Sequence, residues 1–169
     1  MGAAVSLNTV LRYPQRVKAL LLIRNAWTDE PLPAKNARAY HDMGEALRDR
    51  DIEKFYASEG WRIVKEANSP YTTSAFTCTF EDEACLRYWE KYLLLPPQAP
   101  IPSVNVLQDL HIPVSILSCR SDMCHPFERG TYLHARIKGA TFTEIPNKDE
   151  DGARHKAMIN NAVRAMLGV

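Results

Sequence analysis

The sequence has almost no charge imbalance: 21 lysines and arginines stand against 20 aspartates and glutamates, a formal net charge of +1. Without a basic run, nucleic acid and anionic membrane surfaces are excluded as partners. No apolar stretch approaches the roughly 20 residues of a membrane span. The N-terminal segment has neither the basic start nor the apolar block of about 7–15 residues that marks a secretory leader. A soluble, cytoplasmic chain is expected. Cysteine is scarce: Cys78, Cys85, Cys119 and Cys124. They form no C-x-x-C pair, and Cys119, Cys124 and His125 have no second pair to complete a metal site. Free thiols are expected, with no metal and no cofactor. Glycine occurs seven times, and no two glycines flank a serine as Gly-x-Ser-x-Gly. The strained strand-to-helix turn that presents a serine nucleophile is thereby excluded, and Ser6, inside a helical pattern, cannot replace it.

What is present suits one globular domain, with 46% hydrophobic and 24% charged residues in a chain of 169. The spacing of Ala3, Val5, Leu7, Val10 and Leu11 predicts a helix that Pro14 stops. The run over 17–23 is almost unbroken in apolar character, which predicts a strand buried on both faces of a parallel sheet. Between 27 and 110 the pattern changes to charge-dense helical stretches near 34–48, 51–67, 70–79 and 82–94. The proline-rich segment 95–102 closes them and cannot be helix. Strand–helix alternation returns with strands over 113–118 and 140–145 and helices over 127–138 and 152–167. The chain reads as an α/β protein with three domains of sequence: 1–26, a helical insertion over 27–110, and 111–169.

Functional groups in open parallel sheets gather where strands run into loops. Three such points carry polar residues: Arg24 to Trp27, Arg120 to Pro126, and the loop from Pro146 to His155. Asp122 follows one strand and His155 the next. An aspartate there can accept an imidazole N–H, fix its tautomer and stabilise the imidazolium of a general base. Taken singly, each residue also has a plain reading, Asp122 as a turn residue and His155 as a surface histidine.

Five segments in order resemble the α/β-hydrolase superfamily. Met1-Gly2-Ala3-Ala4-Val5-Ser6-Leu7 looks like the stretch after the nucleophile of a G-x-S-M-G elbow. Arg12-Tyr13-Pro14-Gln15-Arg16-Val17 resembles the R-Y-P-x-R-V link to the next strand. Leu22-Ile23-Arg24-Asn25-Ala26-Trp27 is similar to L-x-R-P-A-W, with Asn25 in place of proline. Residues 120–126 look like the x-x-D-x-x-H-P turn of the acid, and Arg154-His155 falls where the catalytic histidine is expected. The resemblance implies an incomplete α/β-hydrolase fold: a partial parallel sheet of three strands, flanking helices and an inserted all-helical cap. It implies Asp122 as triad acid, His155 as general base, the Met1 backbone N–H as an oxyanion-hole donor, and Arg24 and Trp27 at the border of the substrate pocket. His125 would shape the acid turn. The Met1–Ser6 match to the N-myristoylation pattern is then a coincidence.

The implied parent is a hydrolase of a small ester-like substrate. The chain as given begins one residue after the expected serine, so the Asp–His pair has nothing to activate and no serine-type catalysis is expected from it alone. The strand over 17–23 is also left as an apolar sheet edge, which is expected to pair with another chain. The alternative is a non-catalytic remnant or a partner subunit that donates half a sheet.

Overall fold

The computed structural model describes residues 1–169. Helix α1 (Gly2–Arg12) buries Leu7 and Val10, and a 3-10 turn at Pro14–Arg16 leads to strand β1 (Leu20–Ile23). Six short helices follow: α2 (Ala34–Asp49), α3 (Ile52–Tyr56), α4 (Glu59–Glu66), α5 (Pro70–Thr77), α6 (Glu83–Arg87) and α7 (Lys91–Leu94). The chain then returns to β2 (Val114–Ser118), α8 (Phe127–His134), β3 (Thr141–Glu144) and α9 (Lys148–Leu167). It divides into two compact units, Met1–Glu30 with Ala99–Val169, and Pro31–Gln98.

The first unit is a three-stranded parallel sheet in the order β1-β2-β3. Side chains alternate across each strand, so Leu20, Leu22, Val114 and Ile116 pack on one face with Leu7 and Val10 of α1, Leu133 of α8 and Ile137 just beyond that helix. Leu117 and Ile145 pack on the other with Leu21 and the α9 residues Met158, Ile159 and Ala162. Both faces are covered, the condition under which parallel strands read as unbroken apolar runs. Ile101, Val104 and Leu107 are buried in the first of these cores, so residues 99–110 pack with the sheet although their sequence reads as part of the insertion. Asp29 explains how the chain is held there: its carboxylate accepts the Val104 N–H (2.9 Å) and the Tyr132 hydroxyl (3.0 Å). The strand Leu20–Ile23 is three residues shorter than the apolar run over 17–23.

The second unit is all helical. Phe55 is fully buried and stacks on Phe76 (6.0 Å between centroids) and Phe80 (5.9 Å), while Trp61 meets it edge-on (5.5 Å). Tyr40 stacks on Phe76 at 5.0 Å. These aromatics form the unit's own core, each pair adding about 0.5–1.5 kcal/mol beyond area burial. The stretch over 51–67 splits into two helices because Ser58 turns back to cap a new one, its hydroxyl accepting the Trp61 N–H at 3.1 Å. Helices α2 and α4 touch at Gly60, where an added Cβ would lie 2.8 Å from the Asp42 Cβ.

Candidate active site

The ladder pairs Ile23 with Leu117 and Ser118 with Glu144, so all three strands end at one level. The chain that leaves them is tied together by side chains. Arg24 directly follows β1 with φ 49°, in the left-handed region that costs a non-glycine residue about 1 kcal/mol or more. Its N–H donates to the Leu117 carbonyl (2.7 Å), and its guanidinium Nε donates to Asp122 Oδ2 at 2.6 Å. Asp122 Oδ1 accepts the backbone N–H of His125 at 3.1 Å, and the His125 Nδ1 lies 3.1 Å from Oδ2. The Asp122 side chain is 3% exposed. Burial alone opposes its ionisation, but the hydrogen bonds from His125 and Arg24 outweigh that and hold its pKa well below the usual carboxylate range. These contacts favour the charged form of Asp122 in its buried place.

The loop after β3 is fastened to the loop after β2 by Asn147. Its Nδ2 donates to the Arg120 carbonyl (2.9 Å) and the Ser121 carbonyl (3.0 Å). Its Oδ1 accepts the Asp149 N–H, and Glu150 accepts the Asn147 N–H, a capping box at the start of α9. Asp151 then leaves helical geometry, and its carboxylate accepts the Arg154 N–H at 2.8 Å, starting the helix again. His155 lies on that renewed first turn. It is 2% exposed, its Nδ1 is 2.8 Å from the Pro146 carbonyl oxygen, and its Nε2 is buried with no protein partner. A carbonyl can only accept, so Nδ1 carries the proton and Nε2 of the neutral ring is a bare acceptor. A cavity of about 480 Å³ opens beside it, walled by Ile23, Arg24, His125, Lys148, His155 and Lys156 among others.

Of the residues singled out in the sequence, Arg24 and Asp122 are brought into direct contact, and Arg24 and His155 wall one cavity. Asp122 and His155 issue from neighbouring parallel strands, as expected, but no hydrogen bond joins them. His125 and Arg24 hold Asp122, and Pro146 holds the imidazole. Trp27 is half-buried, its carbonyl 3.5 Å from the Asn25 Nδ2, and it is not part of the cavity wall. Met1 is more than half exposed and caps α1, its carbonyl accepting the Val5 N–H at 3.1 Å. The four cysteines are free thiols, and no group of three or more His, Cys, Asp and Glu side chains is arranged around a common point. Asn147 and Lys148 lie in the loop from Pro146 to His155 that the sequence singles out, without a role of their own there, and Lys156 falls just beyond it. For Asn147 the signal was available in Asn-x-x-Glu, the capping-box pattern at 147–150.

No family model and no curated protein matches the chain in sequence. Solved structures do match in shape. The α/β-hydrolase enzyme MGS-M2, from a Medee basin deep-sea metagenome library, superposes with a TM-score of 0.67 at 16% identity, over 99% of this chain and 62% of its own. The enol-lactonase of Burkholderia xenovorans LB400 gives 0.67 at 14% identity, over 100% and 63%. The 2-hydroxy-6-oxo-6-phenylhexa-2,4-dienoate hydrolase of Rhodococcus sp. strain RHA1 gives 0.64 at 16%, over 100% and 62%. The chain has a partial α/β-hydrolase fold. It spans about three-fifths of the length of these structures, and identity this low is a likeness of fold alone. No helix of the chain is long and apolar enough to cross a membrane.

Proposed function

We propose that the sheet unit carries the general base and the acid of a hydrolase of small ester-like substrates, with a serine supplied by a strand beside β1 that is not among these residues. The observation that carries this reading is His155: a buried imidazole in the wall of a cavity at the strand ends, its proton fixed on Nδ1 and its Nε2 without a protein partner. A hydroxyl group placed there would donate to Nε2, and the ring would take its proton as the oxygen attacks an acyl carbon. Pro146 does for the ring what an acid does in a triad, accepting the Nδ1 proton and setting the tautomer. Asp122 serves as the acid if it exchanges His125 for His155, and otherwise supports the site as a fixed anion on Arg24. In this reading the Met1 N–H is an oxyanion-hole donor, Trp27 borders the substrate, and the helical unit acts as a cap. Free thiols are in keeping with a cytoplasmic enzyme.

The test is to express the reading frame with whatever coding sequence precedes Met1 and treat the product with a fluorophosphonate. Labelling of a serine just before Met1, slowed about 100-fold or more by His155→Gln, is expected, because a positioned base contributes about 10²–10⁴ in rate. An in-frame Gly-x-Ser that labels equally well in His155→Gln overturns the role of the histidine.

The unpaired edge of β1 favours a second reading, a subunit that completes another polypeptide's sheet. Leu20–Ile23 has a ladder partner on one side only, and Leu21 and Ile23 are half-buried. A polypeptide that stays monomeric by light scattering across the micromolar range, and melts cooperatively, excludes it.

A further inference from the structure

The last helices of the helical unit, α6 and α7, carry apolar side chains that its core does not use. Six of the eight residues 88–95 are apolar, and none of the eight is buried. Tyr92 and Leu93 pack back on α2, 3.1 Å and 2.9 Å from where a Cβ on Gly44 would lie. Tyr88 and Leu94 do not: they are 57% and 58% exposed, with Trp89 and Leu95 half-buried beside them. Their backbone is held, the Tyr88 N–H donating to the Ala84 carbonyl (3.1 Å) and the Leu94 N–H to the Glu90 carbonyl (2.9 Å). A single exposed apolar residue needs no explanation, but a group of them on ordered backbone is the pattern of an interaction surface. The charges around the group say what kind. Arg87 and Glu90 are exposed and three residues apart, a spacing at which opposite charges on a helical turn pair. They do not pair: the Arg87 guanidinium lies over the Tyr88 ring at 5.5 Å, and neither residue enters an ion pair. The neighbouring charges are committed, Glu83 to Arg50, Lys91 to the Cys85 sulfur and the Tyr92 ring, and Asp82 to the N–H groups of Ala84 and Cys85. One free cation and one free anion therefore rim an apolar centre.

We infer that this face of the helical unit binds a second copy of the chain across a two-fold axis, with Tyr88 and Leu94 at the centre and Arg87 of each copy meeting Glu90 of the other. A two-fold interface sets the same patch against itself, so a patch with one free charge of each sign completes two ion pairs at once. A partner of strong net charge has no such match. An anionic bilayer in particular is repelled, because residues 81–91 hold four acids against Arg87 and Lys91. The centre is small, which makes the dimer weak and transient, the class of interfaces that bury less than about 1,200 Å² in all. The inference stands apart from the hydrolase reading. It also stands apart from pairing at β1, which lies in the other unit.

The experiment is sedimentation velocity on the whole chain between about 10 μM and about 1 mM, where weak contacts become populated. The wild type should pass from monomer toward dimer over that range. Leu94→Asp should weaken the association about tenfold or more, since it removes a leucine from each side of the apolar centre. Arg87→Glu and Glu90→Arg each set like charges across the axis, and each alone should weaken it about threefold or more. Mixed in equal amounts, these two variants should associate at least as tightly as the wild type, because every rim charge then faces its opposite. A role confined to folding the single chain cannot produce that recovery. All three positions are exposed, so thermal melts should match the wild type. A chain that is monomeric throughout, or a mixture of the charge variants no better associated than either alone, overturns the inference. Association unchanged in Leu94→Asp lies elsewhere, as at the β1 edge, and overturns it too. Binding to phosphatidylcholine vesicles that Leu94→Asp abolishes, without self-association, overturns the choice of a second copy.

Discussion

The Nδ1 of His155 in α9 lies 2.8 Å from the carbonyl oxygen of Pro146, nine residues earlier in the loop that precedes the helix. That contact decides the chemistry of the ring. Because the partner can only accept, the neutral imidazole is protonated on Nδ1, and the unpartnered Nε2 has a free lone pair. The δ tautomer is the minor one in free histidine, so the arrangement has a spectroscopic signature. Long-range nitrogen–proton correlation at neutral pH should show His155 Nδ1 as the protonated nitrogen and Nε2 as the pyridine-type one. The reverse pattern removes the base from the proposed mechanism.

Asp122 and Arg24 make the most consequential ion pair in the sheet unit, since their side chains are only 3% and 11% exposed. Breaking a buried pair from one side leaves an uncompensated charge, at a cost of about 3–5 kcal/mol. His125 still holds the carboxylate when the arginine is lost, so Arg24→Met should fall near the lower end, measured by urea unfolding at pH 7. The same pair dictates the acid limb. The folded pKa of Asp122 lies below its ordinary value of 3.8, so the unfolded chain binds the proton more readily. The stabilisation is complete above pH 3.8 and is lost as pH falls through the folded value. Asp122→Asn should be less stable at pH 7 and should lose less stability than the wild type between pH 4 and 2. Parallel acid limbs for the two proteins would contradict this.

The thiols differ sharply. Cys119 is buried, and burial, with the Asp122 charge beside it, pushes its pKa from 9.0 up to about 11. Cys124 is buried too, whereas Cys78 is exposed. Only thiolates react with disulfide reagents. In native protein Cys78 should react first, and Cys119 and Cys124 only on unfolding. Because the folded pKa of Cys119 is raised, its contribution to stability is intact below pH 9 and declines as pH rises toward 11. Cys119→Ala should show a shallower alkaline decline over that window in denaturant titrations.

The first strand was legible because parallel strands covered on both faces leave continuous apolar runs, as Leu20–Ile23 does, whereas Val114–Ser118 keeps only Val114, Ile116 and Leu117 apolar between serines. Helix α1 was legible from its period and from Pro14. The order of Asp122 and His155 on successive strands could be read, and β2 and β3 are indeed adjacent. Their hydrogen-bond partners could not be read. Whether Asp122 turns to His125 or to His155 depends on backbone that no residue pattern specifies, here the left-handed Arg24 and Ser121 and the Asn147 bonds between loops. The insertion's inner limit was blurred for a similar reason. Residues 99–110 begin with the broken pattern of Pro100 and Pro102, yet Ile101, Val104 and Leu107 are spaced by three and bury in the sheet unit.

Gly130 provides a test of the packing that holds the acid loop. It sits in α8 where that helix crosses β2, and a Cβ there would come 2.1 Å from the Ser118 Oγ, 3.1 Å from its Cβ and 3.2 Å from the Phe142 ring. In an isolated helix Gly→Ala would stabilise by about 1 kcal/mol. Here the first contact is far below any real separation and Ser118 is 2% exposed, so either the serine rotamer or the helix must move. Overpacking of this kind costs about 1–3 kcal/mol, and the propensity gain offsets only part of it. Gly130→Ala should therefore be destabilised by about 1–2 kcal/mol in chemical unfolding. Ser118→Ala removes the offending oxygen and leaves only contacts in the tight but tolerable range. Placing Gly130→Ala in that background should recover most of the loss, so that the two substitutions together cost less than the sum of each alone. Additive losses would mean that α8 approaches the strand less closely, and that the turn carrying Asp122 and His125, which leads directly into α8, is anchored by something other than this contact.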